Sequence, residues 1–155
     1  MEPAADTHPQ TRALAQSGTY QPGCSAQGQP GIATAPGYAS TYTGRADQLS
    51  QVRRDITAYL HNCPAADDLI LIADELAANA ILHTQSRGAS FTVRCQLSSR
   101  TARIEVEDLG GPWRPRQPSD RPHGLDIIQA LTGPDAWGTR PAGTGGRTVW
   151  ATLAW

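Results

Sequence analysis

Lysine is absent from this chain: all 13 of its basic residues are arginine. That absence removes the phosphate loop ending in Gly-Lys-Ser or Gly-Lys-Thr, the strand lysine of a protein kinase and every Schiff-base mechanism, so any nucleotide site here works without an ammonium. Cysteine is sparse as well. Cys24, Cys63 and Cys95 are odd in number, widely spaced and in no metal-ligand pattern, which suits a reduced intracellular protein better than a zinc knuckle or a disulfide scaffold. No uninterrupted apolar run approaches the ~20 residues that span a bilayer, and no basic segment followed by an apolar stretch opens the chain. The formal net charge is only -1, so nothing global points to nucleic acid or to an anionic membrane. A cytoplasmic chain is expected, with neither as a direct partner.

The length, 155 residues, leaves room for one domain with a real core and a tail. Residues 1–42 are rich in Gly, Pro, Ser, Thr, Gln and Ala, with few large aliphatics, and cannot bury enough apolar area to offset the entropy of ordering. They are expected to form a disordered tail, with Tyr38 and Tyr42 as solvated linker residues. The domain is expected over 43–155. From Arg45, Leu49, Val52, Ile56, Tyr59 and Leu60 recur at helical spacing until "NCP" breaks the run. A second helix spans about 65–84, with Asp67 and Asp68 favouring its N-terminal dipole. Alternating segments at 90–97 and 102–108 predict an antiparallel hairpin. A long loop over 109–123, a short helix over 124–131, a strand near 136–139, a glycine-rich turn and a last strand complete a few helices against a sheet of at least four strands.

Two interruptions of the core pattern carry chemistry. In the second helix, Glu75, Asn79 and His83 recur every four residues within a sector of about 80°, flanked by Leu71, Ile72, Leu76, Ala80 and Leu82. The solvent side is expected elsewhere, around Asp74 and Ala78. A carboxylate in an apolar rim costs free energy unless it is paired, hydrogen-bonded or bound to a cation. In the hairpin's second strand, Ile104 and Val106 point inward and the period of two puts Asp108 on the same face, where "LGGP" turns the chain.

The order and content of "DELAANAILHT", "EDLGG", "HGLDII" and "GGRTVW" resemble the ATP-binding domain shared by gyrases, heat-shock chaperone ATPases, sensor histidine kinases and mismatch-repair ATPases. Within that superfamily the chain is most similar to the bacterial anti-sigma-factor serine/threonine kinases and their stand-alone relatives. The resemblance covers residues 44–155 and implies a Bergerat-type, two-layer α/β sandwich: a mixed, mainly antiparallel sheet with helices on one face. It also implies ATP and Mg2+ as cofactors. Asn79 would ligate the metal, because magnesium wants hard oxygens and keeps several waters, and Glu75 would act as general base on a hydroxyl or water. Asp108 would accept the exocyclic amine of adenine, Gly110 and Gly111 would let backbone approach the base, and Thr148 would support the adenine water network. Gly124 and Leu125 would open a helix whose free N–H groups face phosphate. His83 would be a supporting helix residue.

One departure bears on the phosphate lid. Where the family has Gly-x-Gly-Leu, Pro122 and His123 precede Gly124 and Leu125, and proline offers no backbone donor. Arg121 or His123 would supply a side-chain contact in its place, with Arg114 and Arg116 as further candidates. The glycines at 143, 145 and 146 are expected to form a hairpin turn. The resemblance implies a kinase that phosphorylates a small antagonist protein and sequesters a sigma factor, with a homodimer open. A nucleotide-gated binding module without phosphoryl transfer is the rival.

Overall fold

The structure, a computed structural model, describes residues 37–111, 123–143 and 145–155. Its elements run β1 (Tyr38–Thr43), α1 (Gln48–Tyr59), α2 (Ala66–His83), β2 (Ser90–Leu97), β3 (Thr101–Asp108), α3 (Gly124–Thr132), β4 (Trp137–Pro141) and β5 (Arg147–Ala154). The five strands form one sheet in the order β1-β2-β3-β5-β4, and each neighbouring pair is antiparallel. Helices pack on one face, giving the two-layer α/β sandwich that the resemblance implies.

Alternation decides what each strand gives to the core. Val93 and Cys95 of β2, Ile104 and Val106 of β3, and Val149 and Ala151 of β5 are buried together with Val52 and Ile56 of α1 and Leu69, Ile72, Leu76 and Ala80 of α2. Removal of such side chains from water is the main favourable term in folding. Burial pushes the Cys95 thiol up to about 12, with Cys63 nearby adding to the effect. Among the described residues no helix covers the opposite sheet face, which carries long side chains of its own. Arg94 pairs with Glu107 at 2.8 Å, while Glu105 accepts from both Arg103 at 2.8 Å and Arg140 at 2.9 Å. The Arg103 guanidinium also lies 4.1 Å above the Trp150 ring. Among the described residues, no helix is long and apolar enough to cross a membrane.

The expected boundary at residue 42 is corrected by β1. Tyr38 to Thr43 pair with Cys95 to Ser90 of β2 along a full antiparallel register, and Tyr42 is buried. Its ring stacks on Phe91 at 5.6 Å between centroids. Its hydroxyl contacts that of Tyr38 and donates to Asp55 Oδ2 at 2.9 Å, and Gln51 Nε2 holds Asp55 Oδ1 at 2.7 Å. Burial first, then the Tyr38 hydroxyl and Asp55, raise the Tyr42 pKa well above the ordinary phenol value. Tyr38 and Tyr42 therefore join the sheet edge to α1 rather than lying in solvent. The expected tail upstream of residue 37 lies outside the described residues.

Tyr42→Ala removes a buried ring and leaves Asp55 short of a donor. Urea unfolding should show a loss of about 3 to 5 kcal/mol, the usual cost of truncating a buried aromatic.

Candidate functional site

Asp108 closes the apolar face of β3 and is 3% exposed. The Gly110 N–H donates to its Oδ1 at 2.6 Å and Arg147 Nη2 to its Oδ2 at 3.3 Å. Such donors make a buried carboxylate tolerable. For the Gly110 N–H to fold back, the chain must turn through left-handed backbone, at φ +67° in Gly110 and +133° in Gly111, which glycine adopts without a Cβ penalty. The "DLGG" pattern is therefore a backbone requirement of the carboxylate.

The segment after α2 clamps this turn. Gln85 N–H donates to Gly110 O at 2.8 Å, and Leu109 N–H donates to the Ser86 hydroxyl at 2.9 Å. Ser86, fully buried, receives its own backbone support from Thr84 Oγ1 at 3.0 Å, and the Thr84 hydroxyl donates back to Ala80 O at 2.6 Å. A Cβ at Gly44 would overlap the Ser86 carbonyl oxygen, and one at Gly146 would overlap that of Asp108. Gly44 and Ser86, which sequence reasoning passed over, thus build the site together with Thr84, given no role of its own there, and Gly146, read there only as a turn glycine. The available signal was a pair of hydroxyls directly after a helix that ends on a buried carboxylate's turn.

The other half of the site lies between α2 and α3. A Cβ on Gly124, the first residue of α3, would stand 2.5 Å from Glu75 Oε2 and 3.4 Å from Glu75 Cβ, so α3 starts against the Glu75 side chain, and a larger residue there would push the carboxylate aside. His123 is the N-cap, and its backbone N–H donates to Asp126 Oδ2 at 2.8 Å. Leu125 anchors the first turn on the core. Burial first, and then the charge of Asp74, raise the Glu75 pKa above its ordinary carboxylate value. One turn further, Asn79 Nδ2 is buried without a hydrogen-bond partner among the described residues, a cost of about 1 to 3 kcal/mol for a buried donor left unmatched.

Three expectations change in detail. The open side of α2 is not centred on Asp74 and Ala78: Leu71 is 39% and Leu82 62% exposed, within about 20° of one another on the wheel and beside Glu75. Asp74 instead faces α1, where Arg53 Nε and Nη2 hold its two oxygens at 2.9 Å each. Thr148 is buried but stands opposite Glu107 and beside Arg140, on the sheet face turned away from Asp108. The residue opposite Asp108 is Arg147. His83 is exposed in the last turn of α2, where a basic residue complements the helix dipole. Arg121, with Arg114, Arg116 and Pro122, lies outside the described residues. Residues 142–146 do form the turn between β4 and β5, with Ala142 N–H donating to Gly146 O at 3.0 Å.

A helix-borne Glu beside a glycine-opened helix, with an Asn one turn on, is joined through the end of α2 to a buried Asp in an open two-layer α/β domain. The model of the histidine kinase-like ATPase domain matches residues 42–151, and the chain belongs to that family. A crystal structure of the RsbU and RsbW domains of Rv1364c from Mycobacterium tuberculosis is similar in fold, with a TM-score of 0.60 at 21% identity. The likeness covers 77% of this chain, which spans only 32% of that one. No curated protein matches the sequence.

An acid whose pKa is higher in the folded state favours folding at low pH, and that contribution is lost as pH rises from the ordinary carboxylate range through the raised value. Glu75→Gln removes the loss. Melting curves between about pH 4 and pH 8 should show the variant gaining stability over the wild type toward neutral pH, with the difference shrinking as the medium is acidified.

Proposed function

We propose that the protein is an ATP-dependent serine/threonine protein kinase of the anti-sigma type, which binds Mg-ATP and phosphorylates a small antagonist protein. The observation that carries this reading is the Glu75 carboxylate against the N-terminus of α3 at Gly124. Free N–H groups at a helix N-terminus suit phosphate oxygens, and a carboxylate beside them, its proton affinity raised by burial, is placed to take a proton from an attacking hydroxyl. The serine or threonine oxygen forms a bond to the terminal phosphorus, the bond to the ADP oxygen breaks, and the hydroxyl proton passes to Glu75.

The residues fit the cofactors by their own needs. The buried Asn79 Nδ2, a donor with no partner among the described residues, suits a phosphate oxygen, the oxygen of the same amide is a hard ligand, and no group of three or more acidic, histidine or cysteine side chains among the described residues could cage a metal. A magnesium ion would therefore be held by the Asn79 oxygen together with phosphate oxygens and water. When bound, it supplies charge neutralisation for the phosphates. Asp108 would accept the adenine amine, and Gly110 and Gly111 would admit the base. Leu71, Leu82 and Leu109, exposed large aliphatics, add an apolar surface near the site that suits a protein acceptor. Phosphorylation of an antagonist, sequestration of a sigma factor, dimer formation and a cytoplasmic setting all belong to this proposal.

The test is labelled Mg-ATP mixed with the protein and candidate antagonist proteins. Asn79→Ala should weaken Mg-ATP binding by about 1.5 to 3 kcal/mol, the worth of a charge-assisted contact. Glu75→Ala should leave binding nearly intact and slow transfer by ~10² to 10⁴. Tight ATP binding with no transfer to any acceptor, unaffected by Glu75→Ala, would replace the kinase by a nucleotide-gated binding module.

A further inference from the structure

The register between β3 and β5 sets Arg147 directly opposite Asp108, so both side chains leave the sheet on its helix-covered face. Arg147 Nη2 donates to Asp108 Oδ2 at 3.3 Å, and the side chains are 21% and 1% exposed. A nearly closed carboxylate and a more open guanidinium thus stand side by side at the end of β3. Their relative position is held by the Gly110 N–H on Asp108 Oδ1 at 2.6 Å and by the close approach of Gly146 to the Asp108 carbonyl. Thr148 faces the other side of the sheet, so the place beside the carboxylate belongs to arginine.

We propose that Arg147 is a second base-reading residue, which donates to a ring nitrogen of the purine while Asp108 accepts from its 6-amino group. This rests on the nucleotide reading of the site. The Asp108–Arg147 pair presents an acceptor next to a donor. A 6-aminopurine offers the complement, an amine flanked by the ring acceptors N1 and N7. A 6-oxopurine in the same pose sets a carbonyl against the Asp108 carboxylate. If it is read through N1, its N1–H also faces the guanidinium. The guanidinium carries five N–H donors, so one can stay on Asp108 while another meets the base.

Calorimetry on the full chain with Mg-ATP, 1-deaza-ATP and 7-deaza-ATP separates the possibilities, each analogue having one ring nitrogen replaced by CH. The wild type should bind one of the two analogues about tenfold more weakly than ATP, the worth of one hydrogen bond in a site built to make it. In Arg147→Met that ratio should fall to about one, with Arg147→Val, a strand-favoured residue, as a second variant and circular dichroism to confirm folding. Equal affinity of the wild type for ATP and both analogues, or a ratio that survives loss of the guanidinium, overturns the assignment. Tighter ATP binding by the variants overturns it too, because Arg147 would then be a plug on Asp108. If the wild type binds none of the three nucleotides, the nucleotide reading itself fails.

Discussion

A buried carboxylate at the end of an apolar strand face is the constraint from which much of this domain follows. The Asp108 carboxyl is tolerated away from water only if donors reach it, and the nearest backbone donor, the Gly110 N–H, reaches it through left-handed backbone. That turn would be free to move without the Gln85 and Ser86 contacts. Ser86 in turn fits because Gly44, just past β1, has no Cβ to meet the Ser86 carbonyl, and Gly44 is held there by donating to Ala89 O and accepting from the Gly88 N–H. On the other side Gly146 lets β5 start against the Asp108 carbonyl. The first and last strands are thus both shaped by the needs of one side chain in the third.

The two halves of the site differ in physical character. Around Asp108 the carboxylate's own polar atoms are satisfied and the geometry is held from several directions. Around Glu75 and Asn79 the polar groups are not satisfied: a carboxylate is held above its ordinary proton affinity and a buried amide nitrogen lacks a partner among the described residues. Unsatisfied groups of that kind are stabilised by whatever supplies charge and hydrogen bonds to them. α2 serves both halves. Its core side carries Leu69, Ile72, Leu76 and Ala80, Asp74 ties it to α1 through Arg53, and its open side presents Glu75 between Leu71 and Leu82. One helix therefore sets the distance between core and chemistry.

Much of this was legible in the chain itself. The 3.6-residue spacing of Val52, Ile56 and Leu60 and the period-two run through Ile104, Val106 and Asp108 are local records of which face is buried, and the elements appear where those periods stand. Glycine after Asp108 and at 124 marks a left-handed turn and a close approach, both properties of a missing Cβ. β1 was not legible. Apart from its two tyrosines "YASTYT" is small and polar, and an edge strand draws much of its stability from main-chain pairing with β2, a partner that composition does not record.

The order of elements, the inward carboxylate and the Glu75–Asn79 stripe are determined by the sequence, because each depends only on the local period of the backbone. Which of two alternating sets in "RTVWATLA" faces the helices is not, since Val149 and Trp150 are both apolar enough to lead inward. The tertiary structure decides it. Arg103 covers the Trp150 ring on the open face, Val149, Ala151 and Leu153 fill the core, and Arg147 rather than Thr148 arrives beside Asp108. The rotation of α2, with Leu82 outward and Asp74 held by Arg53, is likewise a tertiary outcome. A helix has several sides that could be buried, and only the neighbours that it meets select one.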